Sequence, residues 1–132
     1  MAMHLPAIIT LFSLLLFFAI IVYVGYARTK YDVKAPATTG NDNFERIFRV
    51  QMNTLENLAL FLPALWLFDY YVGPLWAGVV GVVWLVGRID YAISYARSAD
   101  ARSRGYGISI LAFAVLAIGA AIGIVLRIMA GL

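Results

Sequence analysis

The sequence predicts an all-α integral membrane protein, a single four-helix bundle that occupies residues 1–132. Two observations carry this. The chain is 64% hydrophobic, whereas a soluble domain holds about 45–50% apolar residues. Long apolar runs at about 5–27, 46–72, 74–96 and 106–129 nearly exhaust its length and leave no room for a separate soluble domain. With its polar shoulder, each run reaches the roughly 20 residues that cross a bilayer. None shows the alternating pattern of a barrel strand, so helices, which satisfy their own backbone in lipid, are the spanning form.

The first run, from Leu5 to Ala27, is expected to remain as a span. It has no basic leader, exceeds the apolar core of a signal peptide and is followed by no clear small-residue cleavage site. The connection at 28–43 holds Pro36, Thr38, Thr39, Gly40, Asn41, Asp42 and Asn43, a loop composition. Asp42 or Asn43 is the expected cap of the second helix. Pro63 falls inside that helix and is expected to bend it. Pro74 is expected to open the third helix in its first turn. The fourth helix holds a Gly119–Gly123 pair at the spacing that lets membrane helices approach closely, read as packing within the bundle.

Charge gives the topology. Of the ten Lys and Arg residues, eight lie near the first connection (Arg28 to Arg49) or the third (Arg97 to Arg104). The second connection, Asp69 to Pro74, has none. The positive-inside rule then places the first and third connections in the cytoplasm and both termini on the opposite side. The net charge of +3 is thereby an orientation signal. A nucleic-acid partner is excluded, because no basic surface remains once the spans are buried. Cysteine is absent, which removes disulfides, thiolate ligands and a protein thiol nucleophile. The lone His4 lies at the N-terminus, so no metal site is expected.

The chemistry-bearing feature is a polar stripe that runs into the second span. Arg46, Arg49, Asn53 and Glu56 fall within roughly 80° of one another on a helix. Glu56 lies about 10 Å deeper than Arg49 along the axis. Polar groups at membrane depth are expensive and mark a functional site by default. The bland alternative is an interfacial anchor with one structural ion pair. A second stripe, Arg88, Tyr91 and Tyr95, shares one face of the third helix. There Arg88 is either a structural partner for Glu56 or Asp90, or a ligand contact.

Arginines suit carboxylates or phosphates, an intramembrane Glu suits an amine, and Asn and Gln suit amide groups. A small peptide with two carboxylates and one amine fits this set. Glutathione is such a molecule and supplies the thiol the chain lacks; a phospholipid head group also fits the residue types. An arginine near the thiol favours the thiolate, the reactive nucleophile.

Two segments resemble a known family. They are Phe44-Glu45-Arg46 with Arg49, Gln51, Asn53 and Glu56, and Gly87-Arg88 with Tyr91, Tyr95-Ala96-Arg97-Ser98. Together with the Pro36 to Gly40 loop before them, they are similar to the MAPEG superfamily, the membrane-associated proteins of eicosanoid and glutathione metabolism. The similarity is greatest to the branch of leukotriene C synthase and the microsomal glutathione S-transferases. It implies a homotrimer with glutathione between adjacent protomers near the cytoplasmic side, and a lipophilic electrophile drawn from the bilayer. It also implies that Arg28, Arg49, Gln51, Asn53, Glu56, Tyr91 and Tyr95 bind glutathione as co-substrate and that Arg102 activates its thiol, with Arg104 as a rival. The expected activity is conjugation of glutathione to lipophilic electrophiles, extending to lipid hydroperoxide reduction. Asn57 departs from the pattern, standing where the leukotriene-forming enzyme has a tyrosine. Two alternatives stay open. One is a silent lipid-binding relative. The other is a small multidrug transporter, which would use Glu56 as a proton and cation site without a partnering arginine stripe.

Overall fold

Each apolar run folds as one continuous helix. A computed structural model describes all 132 residues: α1 is Leu5–Tyr31, α2 Asp42–Tyr71, α3 Pro74–Arg97 and α4 Ser103–Met129. Short 3-10 turns at Ala2–His4 and Ala99–Arg102 precede α1 and α4, and there is no strand. Helices α1, α3 and α4 are long and apolar enough to cross a membrane. With 30 residues α2 is the longest, but Gln51, Asn53, Glu56 and Asn57 interrupt its apolar stretch, so it does not meet that composition.

Asn41, not Asp42 or Asn43, caps α2, accepting from the Phe44 amide at 3.0 Å. The helix thereby starts one or two residues earlier than either expected cap implies. Asp42 and Glu45 fall in its first turn, where carboxylates suit the positive end of the helix dipole. Pro74 opens α3 as the sequence predicts. Helix α2 continues unbroken through Pro63.

The core is a seam of apolar side chains shared by all four helices. Phe61 of α2 and Trp84 of α3 are fully buried in it and stack with ring centroids 3.9 Å apart and planes within 3°. Apolar residues such as Phe18 and Leu111 point outward and stay exposed, the pattern of a bundle whose surroundings are lipid. Helices α3 and α4 meet closely at Gly87 and Gly105. A Cβ on Gly105 would run into the backbone of Tyr91 and the Gly87 carbonyl. That contact brings the first turn of α4 down onto the tyrosine stripe of α3. The Gly119–Gly123 pair packs within the protomer, against Phe68 and Tyr71 of α2. At the same end of the bundle, Arg127 donates to the Tyr70 carbonyl at 2.7 Å and lies over the rings of Tyr70 and Tyr71.

Candidate active site

The two polar stripes face one another beneath the start of α4 and enclose a cavity of about 530 Å³. Arg49, Met52, Asn53 and Glu56 form its α2 wall, Tyr91 and Tyr95 its α3 wall. Arg102, Ser103 and Tyr106 close it from the α4 side. Its size falls in the range of small-molecule sites, about 300–1,000 Å³. Six of the eight residues singled out in the sequence thus meet around one space: Arg49, Asn53, Glu56, Tyr91, Tyr95 and Arg102.

A buried arginine sets the floor. Arg88 is fully buried and has no carboxylate partner; neither Glu56 nor Asp90 reaches it. Its guanidinium donates to Asn53 Oδ1 and to Thr54 Oγ1, both at 2.9 Å, and to Ser109 Oγ at 3.4 Å. Arg88 Nε has no partner. The Tyr91 ring lies against the same guanidinium, 4.2 Å from centroid to carbon. Asn57 turns into the protein and donates to the Asn53 carbonyl at 3.1 Å and to Asn53 Oδ1 at 3.3 Å. Two donors therefore hold the Asn53 oxygen inward, and its amide NH2 is left for the cavity. A buried cation paired only with neutral acceptors leaves net positive charge beneath a site already lined by Arg49 and Arg102, an environment that favours anions.

The rivals Arg102 and Arg104 are separated by their partners. Arg104 forms a two-pronged ion pair with Asp90, at 3.2 Å from Nε and 2.5 Å from Nη2, and lies outside the cavity lining. The pair ties Asp90 of α3 to α4 rather than to Arg88. Arg102 lines the cavity, held by the Ala99 carbonyl at 3.0 Å, with its guanidinium 5.4 Å from the Tyr95 ring centroid.

Arg28 and Gln51 stand apart from the cavity. Arg28 donates to the Val33 and Ala37 carbonyls at 3.2 and 2.7 Å and lies over the Phe44 ring, pinning the first connection to the α1–α2 corner. Gln51 follows Arg49 by about 200° around α2 and so faces away. Three lining residues were not singled out in the sequence. Met52 was within reach, since it is three residues from Arg49 and four from Glu56 on the same face. Ser103 and Tyr106 were not, because the 3-10 turn Ala99–Arg102 decides how the start of α4 faces α3.

Two further spaces adjoin the polar stripe. A cavity of about 330 Å³ lies on its other flank, where Thr38, Thr39 and Glu45 face Arg49 and Glu56. Deeper along the α2–α4 seam is an apolar groove of about 390 Å³, with Leu60, Pro63 and Leu67 opposite Phe113 and Ala117. Pro63 and Leu67 follow Glu56 at i+7 and i+11, so the groove continues the face of the polar stripe into the apolar part of the bundle.

The chain matches the model of the MAPEG family over residues 6–122. It is 49% identical over 119 residues to an uncharacterised protein of Synechocystis, covering 90% of this chain and 87% of that one. It is 39% identical over 101 residues to human microsomal glutathione S-transferase 2, covering 76% of this chain and 69% of the relative. It is 35% identical over 125 residues to mouse leukotriene C4 synthase, covering 95% of this chain and 83% of the relative. With the family model spanning most of its length and the helices in the expected order, this chain belongs to the MAPEG family.

Proposed function

We propose that the protein is a membrane glutathione transferase that activates the glutathione thiol and joins it to lipophilic electrophiles. The observation that carries this reading is the single cavity gathering Arg49, Asn53, Glu56, Tyr91, Tyr95 and Arg102. Two arginines on its walls and one below match the carboxylates of the tripeptide. Glu56 meets the amine, and the inward-held Asn53 oxygen leaves an amide donor for a peptide carbonyl. Arg102 is the thiolate partner, because Arg104 is occupied by Asp90. Lowering a thiol pKa by one unit takes about 1.4 kcal/mol of differential stabilisation, and charge in a partly dehydrated site is effective at supplying it. The apolar groove along the α2–α4 seam offers the second substrate a path from the bilayer. Holding sulfur and electrophile together supplies much of the acceleration. Lipid hydroperoxide reduction belongs to the same thiolate chemistry.

The protein works as a homotrimer in this reading, with α2 as the fourth span. Arg28 and Gln51, which lie off the single-chain cavity, reach glutathione from an adjacent protomer. The basic connections support a cytoplasmic glutathione end with both termini on the other side. The relatives named as transferase and synthase support the activity.

Glutathione titrated into the detergent-purified protein, followed by ultraviolet thiolate absorbance near neutral pH, tests the reading. A signal in wild type that Arg102→Ala abolishes is the expected result. Absence of glutathione binding would overturn it in favour of a silent lipid-binding relative.

A further inference from the structure

Tyr106 is a cavity residue that neither tripeptide binding nor thiolate formation employs. It lies in the first turns of α4, four residues after Arg102. Its ring is 6.3 Å from that of Tyr91. Its backbone carbonyl accepts from the Ser109 hydroxyl at 2.9 Å, while its side chain is 43% exposed. The phenol hydroxyl makes no hydrogen bond within the protomer. The other two cavity phenols are differently placed: Tyr91 is buried against Arg88, and Tyr95 carries Arg102 over its ring. Phe113, on the wall of the apolar groove, follows Tyr106 by seven residues and so shares its face of α4. Tyr106 therefore stands on the line between the polar cavity and the groove, with a free hydroxyl.

We propose that Tyr106 is the general acid for electrophiles whose leaving group is oxygen, epoxides above all. The inference rests on the transferase reading. When the glutathione thiolate attacks an epoxide carbon, a C–S bond forms and the C–O bond breaks. The electron pair of that bond goes to the oxygen, which must take a proton. Arg102 is a poor donor, because a guanidinium does not deprotonate in proteins and its charge is needed at sulfur. A phenol is far more acidic than the alcohol being formed. The proton passes from the Tyr106 hydroxyl to the alkoxide, and the phenolate recovers one from water at the exposed rim. An aryl halide needs no such donor, since chloride leaves as a stable anion.

The test compares wild type with Tyr106→Phe on styrene oxide and on chlorodinitrobenzene, at saturating glutathione. The ratio of the two rates is read, so general damage or a reduced folded fraction cancels. General acids contribute about 10²–10⁴-fold, so the epoxide-to-halide ratio is expected to fall by at least about tenfold. A ratio that stays at the wild-type value overturns the proposal. So does a wild type that consumes the halide but no epoxide, which leaves the transferase reading standing. A wild type that consumes neither overturns both. Where the variant does not accumulate, wild type alone decides. Proton transfer gives a larger solvent deuterium isotope effect on the epoxide than on the halide, and equal effects overturn the assignment.

Discussion

Arg88 donates from Nη2 to the Asn53 side-chain oxygen at 2.9 Å, so a fully buried cation decides which end of that amide meets the cavity. The same guanidinium backs the Tyr91 ring. One side chain thus fixes a residue on each of two walls without itself lining the space.

Replacing Arg88 by Met keeps the packing volume and removes the donors. Asn53 Oδ1 then retains only the longer bond from Asn57, and its amide is free to turn. Glutathione affinity is expected to fall by about tenfold or more, equivalent to at least about 1.4 kcal/mol. Folding stability is expected to change less, because exchanging a buried ion for an apolar group is often near neutral. Calorimetric titration and thermal unfolding in detergent check the two halves. Unchanged affinity would mean that Arg88 does not set the Asn53 orientation.

The ion pair of Arg104 with Asp90 separates two arginines that sequence alone left as rivals. Arg104→Ala is expected to keep the thiolate absorbance of bound glutathione. It is expected to lower the unfolding temperature slightly, by an amount that shrinks in high salt, as for an exposed pair. Arg102→Ala is expected to lower turnover more than affinity, because its partner charge develops on sulfur. The reverse pattern, with the signal lost in Arg104→Ala, would exchange their roles.

The helices were legible because apolar runs of spanning length leave few alternatives, and the site because polar residues recur at helical spacing where they are costly. That is why the sequence alone places Arg49, Asn53 and Glu56, four and three residues apart, on one wall. What stayed hidden depends on contacts between helices. The partners of Arg88 are neutral side chains on α2 and α4, and charge matching pointed instead to Glu56 or Asp90. The part of Tyr106 in the cavity depends on a 3-10 turn and on the approach of Gly105 to Tyr91. Neither has a periodicity to read. The shift of the α2 cap to Asn41 is of a smaller kind, since several adjacent residues are all good caps.

Gly105 is therefore a position where the fold and the site are tied together. A methyl group there meets the Tyr91 backbone and the Gly87 carbonyl, neither of which can rotate away. Gly105→Ala is expected to push α4 off α3 at a cost of about 1–3 kcal/mol, read as a lower unfolding temperature. The displaced α4 start carries Arg102 and Tyr106 with it, so turnover is expected to fall as well. Wild-type stability and turnover together would show that the close approach is dispensable.

The positions of Arg28 and Gln51 bear on how many chains make one site. Both belong to the expected glutathione set, and neither lines the cavity of its own protomer. If adjacent protomers share each site, Arg49 is contributed by one chain and Gln51 by its neighbour. Arg49→Ala and Gln51→Ala proteins are each expected to bind glutathione weakly. Each carries one lesion in every site. When the two are co-expressed, some sites receive Arg49 from one chain and Gln51 from the next, with both side chains intact. Mixed oligomers, isolated through a different tag on each chain, are then expected to recover conjugation that neither parent shows. Sites formed within one chain would give no recovery, because every protomer would still carry its own defect. The same outcome would confine Gln51 to a role within its own protomer, and with it the case that a single chain is incomplete.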